Sequence, residues 1–124
     1  MITDEIRAEL FSCQDLKYRD FHSKLMPDYN KNNIIGVRSP QVRSIARAFS
    51  KREDIDEFLF ELPHKFYEES NVHGFIICGF SDYDKTVKYL NDFLPYVDNW
   101  ATCDLLKPKA FPKNKDRLIN DIDR

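Results

Sequence analysis

Three glycines in 124 residues, Gly36, Gly74 and Gly79, leave little material for the tight turns that a sheet of many short strands needs. Six prolines add breaks but no hairpin signal. The long stretches between these breaks predict an all-α chain with short connections. Hydrophobic residues make up 42% and aromatics 14%, enough to build a core and too many for a disordered chain. No apolar run approaches the ~18 residues that a membrane-spanning helix requires. The opening MITDEIRAEL is acidic where a secretory leader would be apolar. Cys13, Cys78 and Cys103 cannot all pair within the chain, which fits a reducing compartment. A single helical domain over residues 1–124, with a cytoplasmic location and no membrane partner, is the expectation.

Helix signals recur along the whole length. Thr3 is placed to cap a first helix reaching Cys13, with Ile6, Leu10 and Phe11 as its apolar stripe. A second helix is predicted over 15–26, where Leu16, Phe21 and Leu25 recur at roughly helical spacing before Pro27. The Asn-rich segment 28–37 reads as a loop. Ser39-Pro40 marks a helix start, a side-chain cap followed by proline at the first helical position. Val42, Ile45, Ala46 and Phe49 then form a buried face. Further helices are predicted over 54–62, over 66–80 (apolar late on, in GFIICGF, as a central helix would be), over 82–94 with Val87, Leu90 and Leu94 inward, and over 99–106. A basic, proline-broken loop follows, and a last helix begins near Lys115. Six to eight helices with short links predict antiparallel pairs stacked as a superhelix, although no repeated consensus is visible.

The net charge of −2 is the sum of segregated blocks. Residues 29–52 hold Lys31, Arg38, Arg43, Arg47, Lys51 and Arg52 with no acid. Residues 53–69 hold seven acids against Lys65 alone. Residues 107–117 hold Lys107, Lys109, Lys113, Lys115 and Arg117 against Asp116. A near-neutral total therefore conceals local positive surface of the kind a polyanion meets. Arg43, Arg47 and Lys51 lie four residues apart, so they stack into one stripe on the third helix. The plainer reading is two solvated faces that balance one another.

Few residues look chemical. His22, His64 and His73 lack any metal-site spacing, and with the cysteines they give no convincing zinc set, so neither metal nor cofactor is expected. The segment DNWATCD over 98–104 differs. It carries the single tryptophan, Trp100, and an acid four residues on, Asp104, on the same helix face. An indole face and a fixed carboxylate suit a cationic ligand or a developing oxocarbenium ion. A buried tryptophan beside a polar helix residue would give the same spacing.

These residues resemble the AlkD-like DNA alkylation repair glycosylases, which are built from HEAT-like helical repeats. The resemblance lies in Ile35-Gly36-Val37-Arg38-Ser39-Pro40 with Val42-Arg43 and Ile45-Ala46, in Tyr67-Glu68-Glu69 and the helix after it, and most clearly in Tyr96-Val97-Asp98-Asn99-Trp100-Ala101-Thr102-Cys103-Asp104. It spans roughly residues 20–124. It implies a HEAT-like α-α superhelix and hydrolysis of the N-glycosidic bond of cationic N3- and N7-alkylpurines in DNA. Trp100 would contact the lesion-bearing nucleotide, while Asp104 would stabilise positive charge on the deoxyribose and help to place the attacking water. An alkylated purine is already a cationic leaving group, so no strong general acid is needed. Family members are about twice this length, which implies that the chain is the N-terminal part of a longer domain and that further site residues follow Arg124.

The functional expectation is therefore a cofactor-free DNA glycosylase, monomeric when full length, acting on alkylated double-stranded DNA. Arg38, Arg43, Arg47, Lys51, Lys107, Lys109, Lys113 and Lys115 would bind DNA. The alternative is a catalytically inactive helical-repeat module that binds DNA or protein. The sequence pI of about 5.9 is lower than duplex binders usually show.

Overall fold

The computed structural model describes residues 2–27, 29–97 and 106. Six helices cover most of them: α1 (Ile2–Ser12), α2 (Leu16–Leu25), α3 (Ser39–Phe49), α4 (Ile55–Leu59), α5 (Tyr67–Cys78) and α6 (Tyr83–Phe93). Single 3-10 turns lie at Lys31–Asn33 and Leu94–Tyr96, and no strand occurs among the described residues. The chain is all-α. The helices expected over 99–106 and from Lys115 lie outside the described residues, apart from Leu106.

The central element is α5. Its apolar second half and its first two turns are enclosed together, burying Tyr67, Glu68, Glu69, Asn71, Val72, His73, Gly74, Ile76 and Ile77. A helix enclosed on nearly every side has to be covered by several others. α3 lays its longest contact along α5, α6 packs on it too, and α1 touches α3, α4 and α5. Ile2, Ile6 and Leu10 of α1 meet Val42, Ile45 and Ala46 of α3, Phe58 and Leu59 of α4, and Val72 and Ile76 of α5 in one core.

Several local expectations are corrected. Thr3 caps nothing; it sits buried within α1, and its hydroxyl donates to Glu61 Oε2 at 2.5 Å. Ser39 is the first residue of α3 and not its cap. Arg38 takes the cap position in extended conformation without a side-chain cap bond. Pro40 still falls in the first turn, where its missing N–H costs no hydrogen bond.

The second helix turns opposite to the apolar pattern. Leu16, Phe21 and Leu25 are 60%, 62% and 50% exposed, and no residue of α2 is buried. The inward row is instead Asp15, Tyr18, Arg19 and His22, at i, i+3, i+4 and i+7. Asp15 caps the helix by accepting from Tyr18 N–H at 3.1 Å, and Arg19 donates to the carbonyls of Ile34 at 2.8 Å and Lys31 at 2.9 Å. The His22 ring lies between those of Tyr18 and Tyr67. These bonds to the 31–36 segment fix which face of α2 turns inward. Phe11 stays 41% exposed, edge-on to the Phe66 ring, and Leu94 stays 42% exposed in the turn after α6, whose inward residues are Tyr83, Thr86 and Phe93.

The connection into α3 is bound on both sides. The buried Glu68 carboxylate accepts from Ile35 N–H at 2.8 Å through Oε1, and from Gly36 N–H at 2.8 Å and Val37 N–H at 3.2 Å through Oε2. The carbonyls of Ile35 and Gly36 accept from the Gln14 side-chain amide at 2.9 Å and from Asp15 N–H at 2.8 Å. Gly36 has φ +96°, and an added Cβ would lie 2.6 Å from Arg19 Cβ and 2.7 Å from the Asp15 carbonyl oxygen. Gly36→Ala is therefore expected to cost about 2 kcal/mol through backbone strain and crowding. Chemical denaturation of the two forms checks this, and equal midpoints would show that the loop is not held as described.

Candidate nucleic-acid interface

With Val42, Ile45 and Ala46 turned onto α5, the helical period puts Arg43 and Arg47 on the outer face of α3. Lys51 extends the stripe just past the helix end. All three are exposed. Four residues of helix rise about 6 Å, so Arg43 and Arg47 follow one another along the axis at that interval.

The first two are also backed by shape. Arg43 and Arg47 line an open concavity of ≈ 210 Å³ with Ser39, Pro40 and Ser44. Residues 40, 43, 44 and 47 fall at i, i+3, i+4 and i+7 and share one face. Ser39 reads in the sequence only as a helix-start signal, and Ser44 carries no signal beyond this shared spacing with Arg43 and Arg47. The Arg43 guanidinium lies 5.2 Å from the centroid of the Phe75 ring on α5, a cation–π contact that restrains the side chain while leaving its outer donors free.

The rest of the 29–52 basic block is engaged elsewhere. Lys31 pairs with Asp20 at 2.5 Å, and Arg52 bridges Glu5 at 2.9 Å and Asp54 at 2.8 Å. Arg38 is exposed but reaches Asp15 at 3.5 Å and lies 4.9 Å from the Tyr18 ring centroid. Tyr18 N–H and the Arg38 guanidinium together hold the Asp15 carboxyl below its usual range. Among the described residues, Arg43, Arg47 and Lys51 form no salt bridge. The block thus resolves into three uncommitted cations on one face, with Arg38 tethered at its N-terminal edge.

The acidic block is not one face. Glu68 and Glu69 point inward, Asp56 accepts from the Tyr89 hydroxyl at 3.0 Å, and Asp54 is tied to Arg52. Glu69 accepts from Phe66 N–H at 3.0 Å and from Arg7 at 3.2 and 3.3 Å; burial nevertheless pushes its carboxyl up, against the opposing pull of those two donors. Only Glu53, Glu57 and Glu61 of this block stay exposed.

A second group of titratable side chains lies in the interior. His64 Nε2 and His73 Nδ1 are 2.8 Å apart. His64 stacks on Phe58 with centroids 4.4 Å apart, and His73 on Phe93 at 4.1 Å. Burial pushes His64 down to about 4 and His73 down to about 2, assisted by Arg7 for the first and by His64 for the second. This is a core contact between neutral rings and offers no open site. Among the described residues no three His, Cys, Asp or Glu side chains converge as a metal site would need, and no helix is long and apolar enough to cross a membrane.

Trp100, Asp104, Lys107, Lys109, Lys113 and Lys115 lie outside the described residues. The described part of the expected site is thus Arg38, Arg43, Arg47 and Lys51, of which the structure groups the last three on one outer face and the middle two around the concavity. No curated protein and no solved structure matches the chain. A family model described as DNA alkylation repair enzyme matches residues 6–118.

Proposed function

The chain belongs to the DNA alkylation repair enzyme family, and from that premise we propose that it hydrolyses the N-glycosidic bond of cationic N3- and N7-alkylpurines in double-stranded DNA. The observation that carries the binding half of this reading is the outer face of α3. Three cations without a described carboxylate partner, two of them around a concavity with two serine hydroxyls, suit a phosphate backbone. Arg43 and Arg47 supply charge and directed N–H donors, and the serines supply neutral donors beside them. Lys107, Lys109, Lys113 and Lys115 would extend the grip along the strand.

The chemistry falls to Trp100 and Asp104. The indole would face the lesion-bearing nucleotide, whose positive charge favours an aromatic surface. The Asp104 carboxylate would stabilise positive charge that grows on the deoxyribose as the bond to the purine breaks, and would orient the water that attacks the anomeric carbon. The purine leaves neutral because it begins cationic, so one carboxylate suffices. In this reading the helices pair as a HEAT-like superhelix, and the whole protein acts as a cytoplasmic monomer without a cofactor.

The binding half is tested by duplex affinity across a salt series. Each phosphate contact contributes about 0.9 to the slope of log affinity against log salt. Replacing Arg43 and Arg47 by alanine together should lower that slope by about 1.8. Identical slopes for the variant and the wild type would remove α3 from the interface.

A further inference from the structure

We propose that Glu68, inside the fold, is a positioning residue for DNA binding: it fixes the start of α3 and thereby sets where the phosphate-binding residues sit. The inference rests on the reading of α3 as that face.

Glu68 is 1% exposed, and among the described residues no cation pairs with it. A buried carboxylate without a countercharge is costly unless several donors converge on it. Here the donors are three consecutive backbone N–H groups, Ile35, Gly36 and Val37, all within 3.2 Å. Successive N–H groups curved around one anion form a nest, and charge-assisted bonds of this kind are stronger than neutral ones. The positive φ of Gly36 bends the chain so that the donors converge. From the other side, Arg19, Gln14 and the Asp15 N–H hold the carbonyls of Ile34, Ile35 and Gly36.

A four-residue loop is thus held on both edges, and what it delivers is the first turn of α3. Val37 leads directly into Arg38, Ser39 and Pro40, and two of these line the concavity with Arg43 and Arg47. Arg38 itself lies against Tyr18, in the first turn of α2, and Asp15, the cap of that helix, whose N–H donates to the Gly36 carbonyl of the same loop. The apolar face of α3 sets which side of the helix meets α5, but apolar contacts carry no bond direction and define small shifts of the helix start along α5 less sharply. The Glu68 bonds are directional and supply that missing constraint.

The test uses the full chain, with duplex affinity measured across a salt series well below the melting temperature and folding verified by circular dichroism. Glu68→Gln keeps the size but turns an amide NH₂ toward backbone N–H groups. It should lower the slope of log affinity against log salt by about 0.9–1.8, as if one or two phosphate contacts were released. Combined with Arg43→Ala and Arg47→Ala, it should lower the slope no further, because the contacts it misplaces are already gone. A purely structural role would lower melting temperature and leave the slope of the folded protein alone. If Glu68→Gln does not fold, Gln14→Ala loosens the same loop from its exposed side and should lower the slope by a smaller amount in the same direction. A folded Glu68→Gln with the wild-type slope, or an unchanged slope in Gln14→Ala where the first variant is unfolded, overturns the proposal while leaving the α3 interface standing. An unchanged slope in the Arg43→Ala, Arg47→Ala protein overturns both.

Discussion

Asp104→Asn is expected to slow base release from alkylated duplex by on the order of 10²–10³ while leaving duplex affinity nearly unchanged. The substitution keeps shape and removes charge. The ground state carries its positive charge on the purine, whereas the transition state spreads it onto the sugar. A carboxylate placed against the sugar therefore acts on rate more than on binding. Trp100→Ala, by contrast, should weaken engagement of the lesion itself, through loss of a cation–π surface worth roughly 0.5–2 kcal/mol. Single-turnover release, with melting temperatures measured beside it, separates these outcomes from a structural role. A buried tryptophan truncated to alanine would cost about 3–5 kcal/mol of stability. An Asp104→Asn protein as fast as wild type would take the carboxylate out of the chemistry.

Acidification from pH 7.5 to 5 is expected to destabilise the fold by about 4 kcal/mol, roughly 2 kcal/mol for each of His64 and His73. Both folded-state values lie below the ordinary histidine value of 6.5, at about 4 and about 2. The unfolded chain therefore takes up protons in this window and the folded chain does not. Stability is greatest above pH 6.5 and falls as the pH drops below it, toward the folded-state values. Denaturation at several pH values reads this directly. A double variant, His64→Phe with His73→Leu, should show a much flatter dependence over the same range, keeping the contribution of His22, whose value burial also lowers, and the opposing one of Glu69, whose value burial raises. An undiminished pH dependence in that variant would show that the pair is not buried neutral.

What the sequence reveals, and what it hides, divides by distance along the chain. The two faces of α3 are readable because both lie within one helical period: 42, 45 and 46 inward, 43 and 47 outward. The burial of α5 is readable because GFIICGF has no polar side to offer water. The orientation of α2 is not, since its inward row is chosen by carbonyls of Lys31 and Ile34 that only the fold brings to Arg19. Counting charges likewise places Glu68 and Glu69 in an acidic surface block. Glu68 is held by a loop more than thirty residues earlier, and Glu69 by Arg7 in the first helix besides the local Phe66 N–H, so only the capping bond of Glu69 has a local signal. The same holds for His64 and His73, whose contact depends on how the segment between α4 and α5 folds back. The basic block reads as six equivalent cations, but carboxylates from α1, α2 and the α3–α4 connection claim three of them. The division between committed and uncommitted cations is a property of the packed helices, and it is this division that directs attention to Arg43, Arg47 and Lys51.

The central claim is that this protein removes alkylated purines from DNA, and the most direct measurement is the appearance of free base. Duplex DNA methylated at guanine N7 and adenine N3 is mixed with excess wild-type protein, and released N7-methylguanine and N3-methyladenine are quantified over time against a protein-free control. The account predicts release of at least one of these bases well above the spontaneous rate, leaving abasic sites and no release of unmodified purine. Protein that binds the methylated duplex yet releases base no faster than the control would contradict the glycosylase reading and leave a DNA-binding helical module in its place.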